Sequence, residues 1–386
     1  MNTKATIILL LLYVTTLHAQ TNIIIPNYLR MPKDSIQTQQ IIKDLNGFIN
    51  AAQYKNGNNP FVLSSQKIET FILLDEFKNI ENSKAFKNKH FFKPYLNNFI
   101  KIDNNKYAIQ LSHIGIDNDI PYLRTMYNLI AIKTDNGFKF SSPLIQNTQN
   151  WKSKKFKNTT FHYKANNTIK NMESHAKMIA LFDEKLNSKN RSTEIYYTEN
   201  RNELLKIIGV DYRLDYNGKK NGIFSATSNN EQLIVIGKKD KNIDYHDLWH
   251  DRLNLVKSRR LLNKPIDEAC AYLYGGSWGL TWQEIYSVFK EKIANNKNAD
   301  WKYYKENPTN FANTKREHLM VDYVINALII QKIEKEQGFK AVWTLLDCGK
   351  FEKGNKNYYK ALEKLTGITE ENYNIKVWEL INNYKM

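Results

Sequence analysis

Cysteine, arginine and long apolar runs are all scarce in this sequence. Cysteine occurs twice in 386 residues, at Cys270 and Cys348. Two cysteines are too few for a disulfide framework; they allow one bridge in an oxidising compartment or two buried thiols. Arginine occurs nine times against 47 lysines, so the net charge of +17 is a lysine charge, dispersed among many asparagines. Only Lys152 to Lys157 and Lys257 to Arg260 are clustered. Solvated lysines on ordinary surface account for that distribution, and no nucleic-acid partner is expected. Beyond the first twenty residues no apolar run approaches the ~20 residues of a spanning helix, so no stable membrane insertion is expected after signal cleavage. Internal repeats and low-complexity segments are absent as well.

What is present supports a folded chain. With 42% hydrophobic residues the protein can bury a core, and its length suggests two or three domains. Residues 1–19 read as a secretory signal: Lys4 supplies the charge, Ala5 to Val14 the apolar stretch, and Leu17-His18-Ala19 a cleavage site before Gln20. With no cysteine near that site, a lipoprotein anchor is not expected. The mature protein is expected to be secreted, in a periplasm or outside the cell.

Residues 20–150 read as α+β. Ser35 to Gln53 carries Ile41, Ile42, Leu45, Phe48, Ile49 and Ala52 at helical spacing behind an Asp34/Gln37 capping box. Tyr107 to Ile114 and Tyr127 to Lys133 read as strands, and Asn136-Gly137 as a hairpin turn into Phe138 and Phe140. Helix followed by antiparallel meander resembles the cystatin-like or NTF2-like architecture, a likeness that carries no function. The basic stretch Gln146 to Asn158 predicts the boundary. Residues 151–386 then read as a second domain, a small mixed sheet followed by helices. Strands are expected at Phe161 to Tyr163, Glu194 to Thr198, Ile223 to Ala226 and Gln232 to Ile236. Helices are expected over Thr168 to Leu186, from Asn200 to Gly209, from the Thr281/Glu284 capping box, and near Glu317 to Glu336, Lys340 to Leu346, Asn357 to Leu365 and Asn374 to Asn383.

One stretch points to chemistry, Tyr245-His246-Asp247-Leu248-Trp249-His250, with Glu268 eighteen positions beyond the second histidine. Histidines four apart lie on one helix face, with Cβ atoms roughly 5–6 Å apart, so both rings can reach one metal ion. An acidic residue after the first histidine is the general base of zinc hydrolases with this spacing. Here it is Asp, where the usual motif has Glu.

A strand, this helix, a short connection and a second helix carrying Glu268-Ala269-Cys270-Ala271-Tyr272 resemble the gluzincin metallopeptidases, the group of thermolysin and the zinc aminopeptidases. The resemblance covers about residue 159 to the C-terminus. It implies a Zn2+ cofactor held by His246, His250 and Glu268, Asp247 as the base that activates water, and a peptide or protein substrate. Asp251 could orient a ligand histidine, Tyr272 could approach the site, and His318 or Tyr323 in a later helix could stabilise the oxyanion. Gly222-Ile223-Phe224 would be the edge strand on which such enzymes lay substrate backbone. Metzincins are excluded because Leu253 and Val256 stand where Gly and a third His are required, and the inverted motif because Trp249 stands where it needs Glu.

Asp247 departs from the pattern in a way that matters. One methylene less shortens its reach by about 1.5 Å, and misplacement by about 1 Å can cost a hundredfold in rate. A catalytically inactive relative, a secreted binding or scaffolding protein on the peptidase fold, is therefore the alternative. A remoter alternative is a serine hydrolase: Gly275-Gly276-Ser277-Trp278-Gly279 fits G-x-S-x-G, with Asp300 and His318 in the right chain order. That elbow needs a preceding strand, whereas this stretch reads as helix end and turn.

Overall fold

Helices α1 (Ser35–Ala51) and α2 (Lys67–Phe77) precede strands β1 (Lys93–Lys101), β2 (Lys106–Asp117), β3 (Ile120–Thr134) and β4 (Gly137–Ser141). Short helix α3 (Leu144–Asn147) leads to β5 (Lys152–Phe156), β6 (Thr159–Tyr163), α4 (Met172–Lys185), β7 (Ser192–Thr198), α5 (Arg201–Ile208), β8 (Val210–Arg213), β9 (Gly222–Ser228) and β10 (Glu231–Gly237). The described remainder is helix and loop: α6 (Tyr245–Val256), α7 (Lys264–Gly275), α8 (Trp282–Phe289), α9 (Trp301–Glu306), α10 (Val321–Gln337), α11 (Phe339–Leu346), α12 (Lys356–Thr366) and α13 (Tyr373–Asn383). This computed structural model describes residues 22–165, 171–188, 190–238, 242–294 and 296–384. The expected signal segment, residues 1–19, lies outside them, as do residues 168–170 of the helix expected from Thr168. The chain is α+β. No helix among the described residues is long and apolar enough to cross a membrane.

Two compact units divide the chain, Met1–Asn150 with Asn200–Ser228, and Trp151–Glu199 with Asn229–Met386. The segment 200–228, which the sequence reading placed in the second domain, thus groups with the first unit. In that unit β1, β2, β3 and β4 form an antiparallel meander, and β8 pairs antiparallel with β3. Helix α1 buries Ile41, Leu45, Phe48 and Ile49, each worth roughly 1.5–3 kcal/mol as apolar area removed from water. Its buried Asp44 accepts from the Phe138 backbone N–H at 2.8 Å, at the start of β4. Gly137, at φ +94°, makes the turn into that strand. Segment 200–228 is held by charge as well as by pairing. Arg213 donates to the Glu76 carboxylate, and Tyr216 donates to it at 3.0 Å. On β2, His113 is fully buried between Phe77 and Tyr127. Its Nδ1 meets Thr125 Oγ1 at 3.2 Å, Nε2 has no partner among the described residues, and burial drives its pKa down to about 3.

In the second unit β5 pairs antiparallel with β6, and β6, β7 and β10 run parallel. Strand β10 is buried from Gln232 to Gly237, the continuous apolar run of a covered parallel strand. The helices that follow share one core with α4 and this sheet. Within it, Arg252 of α6 is completely buried. It donates through Nε to Asp183 Oδ1 of α4 at 2.9 Å and through Nη1 to Thr193 Oγ1 of β7 at 3.0 Å. Removing one partner of such a buried pair typically costs 3–5 kcal/mol, so α6 cannot easily slide over its neighbours. Cys270 and Cys348 are free thiols; the bridge that an oxidising compartment would allow is not formed.

Candidate metal centre

Helix α6 starts where Asp244 caps it, its side chain accepting from the His246 N–H at 3.0 Å, and that cap fixes which turn faces α7. His246 and His250 follow on one face, rings 4.7 Å apart. Helix α7 opens with Pro265 and Asp267 in its first turn, and Glu268 follows directly. Three atoms converge: His246 Nε2 lies 3.1 Å from His250 Nε2, and Glu268 Oε2 lies 3.4 Å and 3.5 Å from them.

The other ring nitrogens decide what this triangle can do. His246 Nδ1 meets the Gly276 carbonyl at 2.9 Å. A carbonyl only accepts, so Nδ1 carries the proton and Nε2 of the neutral ring a lone pair. His250 Nδ1 meets Asp267 Oδ1 at 2.9 Å, with the same consequence. Two lone pairs and a carboxylate oxygen then face each other, an arrangement that calls for a cation or a proton between them. Burial pulls the His250 pKa down, but hydrogen bonds to Asp267 and Glu268 and their charges outweigh it and raise it to about 9. Burial pushes Glu268 up, while hydrogen bonds and charge from His246 and His250 hold it well below the usual carboxylate range. Tetrahedral zinc with bonds of about 2.1 Å needs ligand atoms about 3.4 Å apart. An octahedral face with similar bonds needs about 3.0 Å. Two observed edges, 3.4 and 3.5 Å, lie at the tetrahedral value and one, 3.1 Å, near the octahedral value, so the triangle is of a size that could hold a metal ion.

The three converging side chains are themselves held. Asp267, only 2% exposed, accepts from Trp249 Nε1 at 3.2 Å, from His250, and from Arg259 Nε at 2.6 Å. Arg259 Nη2 also reaches Glu268 Oε1 at 3.4 Å, leaving Oε2 for the site. Glycine is required where α7 ends. A Cβ on Gly275 would come within 2.6 Å of the Tyr245 carbonyl group and 2.7 Å of His246 N, and one on Gly276 within 2.1 Å of the Leu280 carbonyl oxygen. These two glycines let the end of α7 touch the start of α6 and present the carbonyl that holds His246.

The expected residues fall as follows. His246, His250 and Glu268 come together. Asp247 is exposed on the first turn of α6, with no hydrogen bond or ion pair shown among the described residues. Asp251 is exposed, and the orienting role foreseen for it belongs to Asp267. Tyr272 lies beside His246, rings 5.8 Å apart, but its hydroxyl is engaged, donating to the His318 carbonyl at 3.0 Å and accepting from Met320 N–H at 3.3 Å. Tyr323 packs edge-on against Tyr272. Burial, with the charges of Glu268, Asp322 and Asp267, pushes its pKa up to about 12. His318 is exposed in the loop before α10, because that helix begins at Val321 and not near Glu317 as expected. Gly222, Ile223 and Phe224 open β9 in the first unit, where Arg201 lies over the Phe224 ring. Ser277 follows a helix and enters a tight turn, so the strand that a nucleophile elbow requires is not there. Asp300 caps α9.

Asp267, Arg259 and the Gly276 carbonyl were not foreseen. Only Asp267 left a signal in the sequence, an acid directly before the ligand glutamate. No protein-family model matches the chain, and comparison with curated proteins and with solved structures gives no match.

Proposed function

We propose that the protein is secreted and that its second unit is a gluzincin-type zinc hydrolase of peptides or proteins. One observation carries the reading: two histidine lone pairs and one glutamate oxygen converge at 3.1–3.5 Å, each histidine with its other nitrogen already committed. The chain order supports it, a mixed sheet followed by α6, α7 and a helical remainder. The signal-like composition of residues 1–19 supports a secreted location for the protein. A helix packed on an antiparallel meander likewise supports the cystatin-like or NTF2-like reading of the first unit.

His246, His250 and Glu268 would hold the zinc, which when bound would supply a lowered water pKa and a polarised carbonyl. The chain supplies the rest. Asp247, next to His246 and open to solvent, accepts the proton of the attacking water and returns it to the leaving amine. Tyr323 donates to the developing oxyanion. Its high pKa keeps the hydroxyl protonated at neutral pH, and the Tyr272 hydroxyl is already used. Asp267 and Arg259 hold His250 and Glu268 in place throughout.

Asp247, exposed and with no hydrogen bond or ion pair shown among the described residues, favours a second reading, a protein that binds zinc and peptide without cutting. Zinc-loaded native protein, Asp247→Ala and Asp247→Glu on casein and peptide libraries separate the two. The hydrolase reading expects native activity that falls at least a hundredfold in Asp247→Ala. Silence in the native protein with activity in Asp247→Glu supports the binding reading. Native protein that holds no stoichiometric zinc after incubation with the metal refutes both.

A further inference from the structure

Among the glycines that fit G-x-S-x-G stands Trp278, and its conformation needs explaining. Ser277 and Leu280 close a two-residue turn, with Ser277 N–H donating to the Leu280 carbonyl and Leu280 N–H to the Ser277 carbonyl, both at 2.9 Å. The central residues Trp278 and Gly279 have φ of +53° and +82°. That is the type I′ pattern, whose first central position belongs to Asn, Asp or Gly. A bulky residue in the left-handed region is strained, and such strain concentrates at working sites. Trp278 gains no compensating burial, since it is 52% exposed.

The turn is bound to the metal centre on two sides. Gly276, two residues before Trp278, holds His246 through its carbonyl, so the two Cα atoms, 276 and 278, are at most about 7.6 Å apart. The Trp278 ring lies 6.2 Å from that of His318. The His318 carbonyl in turn accepts from Tyr272, whose ring is 5.8 Å from His246. An exposed indole with an exposed imidazole beside it forms an aromatic lip on the side of the triad that α7 and the loop before α10 build. Lys315 and Arg316, just before His318, are exposed cations, which disfavours a basic guest on the indole face.

We infer that Trp278, with His318, is a specificity-determining contact that receives a large apolar or aromatic side chain of the substrate beside the scissile bond. This assignment rests on the peptide-hydrolase reading of the triad. Phenylalanine hydroxamate and glycine hydroxamate test it, because both carry the same zinc-binding group and only one carries a side chain for the lip. Each is titrated calorimetrically into zinc-loaded native protein and into Trp278→Asn. Asparagine suits the turn, so the variant should melt no lower than native. Native protein should bind the phenylalanine probe about tenfold or more tighter than the glycine probe, the scale of one aromatic contact. In Trp278→Asn that ratio should fall below about threefold, with glycine hydroxamate affinity unchanged. A native ratio near one, no binding of either probe to zinc-loaded native protein, or a ratio retained in Trp278→Asn overturns the assignment while leaving a zinc site standing. Failure of native protein to retain zinc removes the hydrolase reading itself, and this assignment with it.

Discussion

Replacing Asp267 by Ala is the sharpest probe of how the centre is held. The carboxylate is 2% exposed and takes three donors, Trp249 Nε1, His250 Nδ1 and Arg259 Nε. Alanine removes the carboxylate that accepts all three bonds. Loss of an orienting partner behind a ligand histidine typically weakens metal binding 10–100-fold, or about 1.4–2.8 kcal/mol. Trp249 is fully buried, so its orphaned N–H adds about 1–3 kcal/mol of destabilisation to the metal-free protein. Arg259 reaches water and adds little. At free zinc a hundred times the native Kd, zinc stabilises the native protein by about 2.7 kcal/mol. A hundredfold weaker site at the same concentration leaves about 0.4 kcal/mol. In a unit of this size the zinc-induced rise in melting temperature should therefore shrink from about 5–10 °C to about 1 °C. Competition with a chromophoric chelator measures the affinity, and thermal unfolding with and without zinc measures the linkage. Asp267→Asn should lie between, since its amide oxygen still accepts from His250 while its amino group faces the Arg259 N–H. If Asp267→Ala holds zinc as tightly as native and keeps the full thermal shift, the histidines do not depend on this carboxylate and the reasoning is wrong.

Two further outcomes follow from particular residues. His113 is neutral in the folded first unit, its pKa driven down to about 3 by burial, against about 6.5 when unfolded. Between those values the unfolded chain binds a proton that the native state does not. Stability is therefore full above pH 6.5 and is lost as pH falls below it, by up to about 1.4 kcal/mol per pH unit. Urea denaturation at stepped pH should show that slope, and His113→Phe should flatten it; an unchanged slope would exclude His113 as its source. Gly275→Ala places a methyl against the Tyr245 and His246 backbone at 2.6–2.7 Å and should cost about 1–3 kcal/mol together with measurable zinc affinity. A variant that melts and binds zinc like native would show that α6 and α7 do not need that contact.

What was legible in the sequence was local. The α1 stripe, the Asn136-Gly137 turn, the Thr281/Glu284 capping box and the histidine spacing are short-range patterns, and each corresponds to an element or contact in the fold. Helix α2 escaped because Ile68, Phe71, Ile72, Leu73, Leu74 and Phe77 are all buried, so no polar face marks a period. Strand β1 escaped because its apolar positions are broken by Asn97 and Asn98, with a register shift between Leu96 and Asn98. The grouping of 200–228 depends on a four-residue strand meeting β3 and on Arg213 meeting Glu76, contacts far apart in sequence. At the site, Glu268 was readable from spacing. The Gly276 carbonyl was not, because every residue has one and only the fold decides which of them meets a ring nitrogen. The same glycines that fit a serine elbow on paper serve close helix packing.

Spacing alone does not make a metal centre. Two histidines a turn apart can as well hydrogen-bond outward and pack as core. What sets this pair apart is that Gly276 and Asp267 engage both outer nitrogens, so the inner nitrogens have only each other and Glu268 to face, with room between them for a proton or a cation. Asp247 has no such commitment. A general base must be held within reach of the proton it takes, and among the described residues no side chain or backbone group is shown holding this carboxylate. On the proposed reading, metal binding and turnover are therefore separable properties of neighbouring residues. Substitutions at Asp267 should move zinc affinity, and activity only through it. Substitutions at Asp247 should move activity at unchanged zinc affinity. A zinc affinity that follows Asp247→Ala downward by tenfold or more would mean that Asp247 helps to build the metal centre and is not a base poised beside it.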